Sequence, residues 1–432
     1  MLGVRPLLRV AALELCGYKA CSYPPKRLAS TWTQDVGEVY QGSENHRLSG
    51  RIHILGVGNV GTFVAHSLAS QSSPPPITLL LHRPEWYTAF RRWKHQVAVQ
   101  SKGLSDVKTG FDVNVLHEGF WRSIPAENRE DNASAAPIEQ APHEVIECLI
   151  VSVKAPVTAD ALQTVHHRLT PNSTILFLQN GMGIIDDINA KVFPDPKQRP
   201  NYMIGIISHG LLRSDDFHVS HTGLGTTILG PVLPPISGTA LLNDKESDWA
   251  PSTKYLMRTL TLTPQLVAVA EPPSSVMLHQ LEKLAMNSVI NPLTALMGCR
   301  NGELLYNYSF TRIMRLLLLE ISSVICSLPE LQSVPGIESR FSPERLRWMV
   351  TQLANKTGMN YSSMLQDVRA NKTTEIEFLN GYIVRRGEEV GVKCVVNYMI
   401  KHLVLAKQQK SRQKDSSYIP LDILDHSIDK RS

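Results

Sequence analysis

Three polar residues interrupt the apolar segment "LEKLAMNSVINPLTA" of residues 281–295. Lys283, Asn287 and Asn291 are spaced i, i+4, i+8, which places them along one face of a helix. An amine can donate a proton and amides can bind substrate oxygens, but burying such groups without partners costs free energy. The row therefore predicts either the lining of a cleft or a solvated helix face, and its spacing alone does not choose between them.

A second candidate site is the glycine-rich segment Gly56-Val57-Gly58-Asn59-Val60-Gly61, which has the pattern G-x-G-x-x-G. It follows the apolar run "RIHIL" and opens a helical pattern, as dinucleotide-binding turns do. The first glycine permits a tight turn, the second lets a pyrophosphate approach the backbone, and the third lets helix and strand pack closely. N–H groups at the start of the helix then bind the anion. The alternative is a structural turn that is merely rich in glycine.

The end of the next apolar run, "ITLLLHR", indicates which cofactor such a turn binds. NAD-binding proteins usually place Asp or Glu there to hold the ribose 2′-hydroxyl, whereas this chain has His82-Arg83. A guanidinium pairs with a 2′-phosphate through two parallel hydrogen bonds. The sequence therefore predicts NADPH, unless Arg83 is an ordinary solvated charge at the end of a strand.

The residues that follow the polar row add further candidates. Pro292 disfavours a helical conformation at Asn291, which predicts a kink at the end of the row. Asn301-Gly302 is a turn signal, and a turn here can bring the side-chain amide of Asn301 close to the polar row.

A third polar segment lies at residues 358–384. Ser362 and Ser363 begin a helical pattern there, and Thr373 or Thr374 is placed to cap another helix beside Glu375. Local sequence alone gives no reason to pair this segment with Lys283.

Strands and helices alternate in the first part of the chain. The continuous apolar runs are residues 51–55, 77–83, 148–154 and 174–180, and their alternation with helical patterns predicts a parallel, doubly wound sheet. Residues 218–231 look like a hairpin with glycines near its turn, and residues 128–143 and 233–252 look like surface loops. From about residue 275 to residue 409 the pattern is helical, so we predict an α/β domain followed by an all-α domain.

Composition limits the classes of function. The 432 residues suffice for two domains, and a net charge of +5, from 44 basic and 39 acidic residues, gives little reason to expect nucleic-acid binding. No apolar run reaches the roughly 18 residues of a membrane span. The six cysteines form neither C-x-x-C nor a cluster at zinc spacing, so we expect no metal site and a reduced compartment.

Residues 1–34 are basic and amphipathic. Before Asp35 the chain contains one acid, Glu14, against five basic residues: Arg5, Arg9, Lys19, Lys26 and Arg27. This bias is typical of a mitochondrial presequence, and the alternative is a disordered tail of a cytoplasmic protein. A secretory signal is disfavoured because Arg9 and Glu14 break the apolar run.

The glycine turn, "VKAPVTADAL", "LQNGMG", "EKLAMNSVINPLTA", "CRNGEL" and "NYSSMLQDVRANKTTEIEFLNG", in this order, closely resemble the ketopantoate reductases, which are NADPH-dependent 2-dehydropantoate 2-reductases. The resemblance covers about residues 51–405. It implies a Rossmann-type NADP-binding domain, a C-terminal helical domain and an active site in the cleft between them.

The resemblance also implies roles for individual residues. Lys283 corresponds to the catalytic proton donor and Glu375 to an acidic residue beside the cofactor and the reaction centre. Cofactor contacts are implied at Gly56, Val57, Gly58, Asn59, Val60, Gly61, Arg83, Lys154, Asn180 and Glu375. Substrate contacts are implied at Lys283, Asn287, Asn291, Asn301, Asn360, Ser362 and Ser363. None of these positions is substituted.

The expected activity is therefore reduction of ketopantoate to pantoate with NADPH. The alternatives are a non-catalytic NADPH-binding organellar protein on the same fold and a reductase of another branched 2-oxo acid. Expected partners are a small 2-oxo acid and a second copy of the chain in a homodimer, with no nucleic acid and no membrane span.

The predicted organisation has four parts. They are a presequence at 1–34, a Rossmann domain at 50–272, a helical substrate domain at 275–409 and a polar tail at 410–432.

Overall fold

The computed structural model describes residues 48–124, 144–232 and 249–415, with side chains as far as residue 410. The chain divides into two compact units between Gln280 and Leu281. The predicted presequence at 1–34, the loop at 128–143 and most of the loop at 233–252 lie outside the described residues. Among the helices that are described, none is long and apolar enough to cross a membrane.

The first unit is built on a nine-stranded sheet with the strand order β13-β12-β9-β8-β7-β1-β2-β5-β6. Neighbours are parallel from β9 to β5, whereas β6 and β12 pair antiparallel with β5 and β9. The strands of the whole unit are β1 Ile52–Leu55, β2 Ile77–Leu81, β3 Val97–Ser101, β4 Leu104–Lys108, β5 Asp112–His117, β6 Phe120–Ile124, β7 Cys148–Val151, β8 Thr174–Phe177, β9 Asn201–Ile207, β10 Gly210–Asp215, β11 His218–Gly223, β12 Thr227–Val232 and β13 Ala268–Ala270.

Helices connect the parallel strands, which confirms the predicted doubly wound arrangement. They are α1 Asn59–Ala69, α2 Pro84–Arg92, α3 Thr158–Gln163, α4 Ile184–Lys191 and α5 Pro251–Thr261. Short 3-10 helices are found at Ala155–Val157, His166–Arg168, Pro196–Gln198 and Pro264–Leu266. Apolar side chains from β1, β2 and α1 are fully buried together, which fixes α1 against the sheet.

The predicted hairpin at 218–231 is wrong. Strand β11 belongs to a separate four-stranded sheet of order β10-β11-β3-β4, and β12 belongs to the nine-stranded sheet. The true hairpin is β10–β11, in which Gly210 pairs with Gly223. The chain turns back at Asp216 and Phe217, where Phe217 has φ +58°, and not near Gly223 or Gly225, because β9 and β12 continue the antiparallel pairing of β10 with β11.

The four-stranded sheet and the loop before it also contact α1. The amide of Asn59 donates to the carbonyl of Leu211 on β10 at 3.2 Å. The ring of Phe63 on α1 packs against His209 and His221, each with centroids 5.0 Å apart. The helix that follows the glycine turn is therefore held on two sides.

Helices make up the second unit. Helix α6 Pro273–Met297 enters it, and α7 Tyr308–Ser327, α8 Ile337–Arg340, α9 Pro343–Lys356, α10 Ser363–Arg369, α11 Asn380–Glu389 and α12 Val395–Asp415 follow. Short 3-10 helices lie at Asn301–Tyr306, Pro329–Leu331 and Ile376–Phe378. This confirms the α/β plus all-α class, and the last helix runs past residue 409, where we expected the helical domain to end.

Helix α6 continues through Pro292, contrary to the prediction that Asn291 leaves the helical conformation. Proline has no N–H, so the carbonyl of Ser288, four residues earlier, loses its helical donor. The side chain of Asn380, fully buried on α11, donates Nδ2–H to that carbonyl at 2.9 Å. The same amide donates to Oδ1 of Asn397 at 2.9 Å. A distant amide thus replaces the missing helical bond, a signal that local sequence cannot give.

Asn380→Ala should lower the free energy of unfolding by about 3 kcal/mol, because two buried acceptors lose their donor. Pro292→Ala supplies a backbone N–H to Ser288, so Asn380→Ala should cost at least about 1 kcal/mol less in that background. Urea unfolding of the four proteins in this cycle measures both effects. An equal cost in the two backgrounds would show that Asn380 does not substitute for the missing N–H.

Candidate active site

The glycine turn lies at the carboxyl end of β1. Gly56 has φ +101°, and a Cβ there would come within 2.6 Å of the backbone N of Val153, so only glycine fits. The hydroxyl of Ser152, directly after β7, donates to the carbonyl of Gly56 at 2.5 Å. Sequence reasoning missed Ser152, although its place one residue beyond a buried strand was a usable signal.

The other two glycines of the motif differ in what surrounds them. A Cβ on Gly61 would lie 1.9 Å from the carbonyl oxygen of Gly56 and 2.5 Å from Oγ of Ser152. A Cβ on Gly58 would meet no atom within 4 Å. Gly61 is therefore needed for packing of helix against strand, whereas Gly58 leaves open the approach that a dinucleotide pyrophosphate requires.

Helix α1 presents uncapped N–H groups at this turn. Its N-cap is Gly58, which has no side chain to accept them, and its first turn has no acidic residue. Asn59 and Val60, the first helical residues, are half-buried. The helix dipole and these donors favour an anion, which fits the phosphates of a dinucleotide.

The other predicted cofactor residues of the first unit follow neighbouring parallel strands. The last residues of these strands are in register, with Leu55 opposite Val151 and Val151 opposite Phe177. Lys154 is the N-cap of the 3-10 helix after β7, and Asn180 precedes two glycines of positive φ after β8. Both side chains are half-buried and interact within the protein. They therefore reach the same edge of the sheet as the glycine turn.

Arg83 lies on the other side of β1, just after β2. It is the N-cap of α2 and its side chain is exposed. Its position beyond the carboxyl end of a parallel strand agrees with a contact to the adenosine ribose. Its exposure agrees equally with the alternative of a solvated charge.

In the second unit, the polar row lies along α6 as its spacing predicts. Lys283 and Asn287 are half-buried and Asn291 is buried. Among the described residues, no hydrogen bond engages the side-chain amide of Asn287 or Asn291. Two amides beside an amine are thus available for oxygen atoms of a ligand.

The electrostatic setting of Lys283 favours proton transfer. Burial lowers the pKa of its amine to about 8, and the carboxylate of Glu375 opposes that shift. Glu375 is itself buried, immediately before the 3-10 helix Ile376–Phe378. The charge of Glu375 therefore acts on Lys283 within this unit, an interaction for which local sequence gave no reason.

The adjacent acid does not compete for Lys283. Glu282 is only 1 % exposed and its Oε1 accepts hydrogen bonds from Arg340 at 3.0 Å and Arg345 at 2.8 Å. Its charge is thus balanced by two guanidinium groups. Glu375 remains the carboxylate whose charge acts on the amine.

Asn301 begins the 3-10 helix that follows α6. It is buried, its Nδ2–H donates to Oγ1 of Thr357 at 2.9 Å, and its backbone N–H donates to the carbonyl of Asn360 at 3.0 Å. The amide oxygen of Asn301 has no hydrogen-bond partner among the described residues. Asn301 and Asn360 are thus joined through the backbone, while the side chain of Asn360 is exposed.

The two serines at the start of α10 have different settings. Ser362 is buried, and its hydroxyl caps the helix by accepting from the N–H of Leu365 at 3.2 Å. The hydroxyl of Thr294 on α6 lies 2.7 Å from the same oxygen. Ser363 is exposed. Ser362 therefore fixes α10 against α6, which sequence reasoning did not anticipate, and Ser363 is the better placed of the two to contact a ligand.

In the part of the chain that the structure describes, the cysteines and acids give no second site. Cys148, Cys299, Cys326 and Cys394 are free thiols in the described part of the chain. Within that same part, no three His, Cys, Asp or Glu side chains are grouped so that they could hold a metal ion.

Comparison with known proteins places this arrangement in a family. Residues 52–234 match "Ketopantoate reductase PanE/ApbA", and residues 275–408 match "Ketopantoate reductase PanE/ApbA C terminal". The chain is 30% identical over 354 residues to the "Probable 2-dehydropantoate 2-reductase" of Schizosaccharomyces pombe, covering 81% of this chain and 94% of that one. It is 28% identical over 369 residues to a ketoisovalerate reductase of Gibberella fujikuroi, covering 77% of each.

Solved structures share the fold. A D-mandelate dehydrogenase in ternary complex with NADH superposes with a TM-score of 0.63 at 19% identity, covering 84% of this chain and 99% of that one. A "Probable 2-dehydropantoate 2-reductase" from Bacillus subtilis gives a TM-score of 0.55 at 24% identity, covering 83% of this chain and 99% of that one. Since both family matches and the S. pombe relative cover the two units, the chain belongs to the ketopantoate reductase family of oxidoreductases.

Proposed function

We propose that the chain is an NADPH-dependent 2-dehydropantoate 2-reductase, which makes pantoate for pantothenate and coenzyme A synthesis. The observation that carries the proposal is the amine of Lys283, brought to a pKa of about 8 by burial, in a row with two amides. A lysine that is protonated near neutral pH serves as a general acid and as a cation beside a developing negative charge.

In the proposed mechanism the first unit binds the cofactor, and the second unit binds the substrate and donates the proton. When bound, NADPH supplies the hydride that adds to the C2 carbonyl of the substrate. Lys283 donates its proton to the alkoxide oxygen formed at C2, which leaves a neutral amine and a secondary alcohol. Asn287 and Asn291 hold substrate oxygens by hydrogen bonds, without adding negative charge next to the substrate carboxylate. Glu375 keeps the amine protonated by its charge.

A dinucleotide fits the first unit on structural grounds. The open space at Gly58 and the uncapped start of α1 provide the approach and the donors for a pyrophosphate. The D-mandelate dehydrogenase relative was solved with NADH, which supports a nicotinamide cofactor. The preference for the 2′-phosphate rests on Arg83.

Arg83→Ala should lower kcat/KM for NADPH by about 10- to 100-fold, the loss expected when charge-assisted bonds to a phosphate disappear. The value for NADH should stay unchanged. Arg92→Ala, which removes the same group from an exposed position at the other end of α2, serves as the control. Equal losses with both cofactors would assign Arg83 a role other than binding the 2′-phosphate.

Substrate identity is tested by following NADPH oxidation by residues 35–432 with ketopantoate and a panel of 2-oxo acids. The ketoisovalerate reductase relatives favour a second candidate, 2-ketoisovalerate, which lacks the hydroxymethyl group of ketopantoate and with it the terminal hydroxyl. A site that bonds this hydroxyl should reject the analogue strongly, by up to about 10⁴-fold in kcat/KM. Preference for 2-ketoisovalerate would overturn the proposed substrate, and NADPH binding without any turnover would favour a non-catalytic protein.

We also propose that the protein forms a homodimer. The structure of a relative from Staphylococcus aureus is described as that of a dimeric ketopantoate reductase. In the second unit, Tyr398, Met399 and Leu403 on α12 expose about half of their large apolar side chains. Light scattering should give twice the mass of the chain, and a monomeric mass would contradict the proposal.

We further propose mitochondrial targeting by residues 1–34, with a cytoplasmic protein as the alternative. The support is the excess of basic over acidic residues in this segment. Fusion of residues 1–34 to a fluorescent protein should direct it to mitochondria. Diffuse cytoplasmic fluorescence would contradict the targeting role.

A further inference from the structure

A row of polar side chains crosses one face of the nine-stranded sheet near the amino ends of its central strands. His53 on β1 is opposite Thr78 on β2, which is opposite Asp112 on β5. Asn114, two residues further along β5, is opposite Ser123 on β6. Paired residues, and residues two apart on a strand, share a face. Because strands of a doubly wound sheet are normally apolar on both faces, this row is an exception that requires an explanation.

These side chains line a pocket of about 160 Å³ together with Arg51, Glu144 and Arg168. The volume exceeds what a single water needs and is below the roughly 300 Å³ of pockets for drug-sized ligands. The pocket lies at the amino ends of the strands, whereas the glycine turn follows the carboxyl end of β1. It therefore belongs to no part of the proposed cofactor site.

One of the two arginines in this pocket, Arg168, has N–H groups that make no hydrogen bond within the described residues. Arg168 is 3 % exposed. Its Nε–H donates to the carbonyl of Glu144 at 3.0 Å and its Nη1 donates to Oδ1 of Asn114 at 3.2 Å. A guanidinium has five N–H donors, so donors remain. Arg51 differs, because it pairs with the carboxylate of Asp112 and also donates to Thr78.

A buried imidazole also lacks a partner there. His53 is 2 % exposed, and its Nδ1 has no hydrogen-bond partner among the described residues. A buried polar atom left without a partner costs free energy, which a bound ligand would remove. Burial lowers the pKa of His53 to about 3, and the positive charges of Arg168 and Arg51 contribute to that shift. The imidazole therefore lies in a positive potential.

We propose that this pocket binds a small oxyanion, such as inorganic phosphate or a small carboxylate, through Arg168, Ser123 and His53. The guanidinium and the hydroxyl donate to the anion, and Nδ1 of His53 donates as well when the neutral ring carries its hydrogen on that atom. The anion stabilises the first unit by mass action, because the unfolded chain has no such site.

The experiment is NMR of the His53 ring in the full chain, with its signals assigned by comparison with His53→Gln. At neutral pH, inorganic phosphate should shift these signals saturably, because the bound anion accepts a hydrogen bond from the ring. Acetate, added in a separate arm, tells whether a carboxylate or a phosphate is preferred. Sodium chloride at matched ionic strength controls for screening of the charged groups that line the pocket with His53, which are Arg51, Arg168, Asp112 and Glu144.

Two variants decide whether the response is local. Ser123→Ala should weaken the phosphate affinity read at His53 by about five-fold, the effect of one hydrogen bond. Gly58→Ala should leave it unchanged, since a phosphate at the glycine turn is a separate event. The proposal is overturned if the ring signals do not respond to either anion, or if Ser123→Ala responds as the parent does.

Discussion

Lys283→Ala should lower kcat by about 10²- to 10⁴-fold while leaving the Kd of NADPH within a few-fold of the parent value. The amine is the proposed proton donor, so its loss removes both the proton and the positive charge next to the alkoxide. The glycine turn, which is proposed to hold the cofactor, lies in the other unit and is unaltered. Steady-state kinetics with ketopantoate and fluorescence titration with NADPH measure the two quantities.

Lys393→Ala is the matched control, because it removes an exposed lysine from the same unit. It should retain the parent kcat and the parent free energy of unfolding. If Lys283→Ala turned over ketopantoate as fast as Lys393→Ala, Lys283 would not be the proton donor. A variant that unfolds early in urea would instead point to a structural role for the amine.

The pH profile gives an independent check on Lys283. A general acid is active in its protonated form, so kcat/KM should fall as pH rises through the pKa of about 8. Glu375 raises that pKa, so Glu375→Gln should lower it and move the alkaline limb to lower pH. An alkaline limb at the same pH in both proteins would separate Glu375 from the titrating group.

The features that the sequence predicted correctly are those set by residues close together in the chain. The four apolar runs become β1, β2, β7 and β8, the glycine turn follows β1, and the polar row lies on α6. Each depends on periodicity or on a turn residue, which act between neighbours in the chain. The resemblance to a family added the roles, which spacing alone left open.

What the sequence did not predict depends on partners far along the chain. Pro292 remains inside α6 because Asn380, 92 residues away from Ser288, supplies the missing hydrogen bond. The hairpin at 218–231 is absent because β11 pairs with β10 and β12 pairs with β9, so each strand finds its partner in an earlier part of the chain. Ser362, predicted as a substrate contact by resemblance, has a hydroxyl that caps α10 and meets Thr294. No local pattern encodes such contacts.

Gly58→Ala and Gly61→Ala should separate cofactor binding from folding. A methyl group on Gly58 meets no protein atom within 4 Å, so the free protein should lose at most about 1 kcal/mol, the cost of alanine at a helix N-cap. The same methyl group occupies the approach of the pyrophosphate, so the Kd of NADPH should rise by about 10- to 100-fold. Calorimetric titration with NADPH measures this loss.

Gly61→Ala should act on the folded state itself. Its methyl group would lie 1.9 Å from the carbonyl oxygen of Gly56, a backbone atom that cannot rotate away. The turn must therefore separate from α1, at a cost of about 3 kcal/mol or more. Urea unfolding without cofactor should show this loss for Gly61→Ala and not for Gly58→Ala.

If both variants bound NADPH as tightly as the parent, the dinucleotide would bind elsewhere. If both were equally unstable, the turn would be a structural feature, because Gly58 would then be required for folding and not for a ligand.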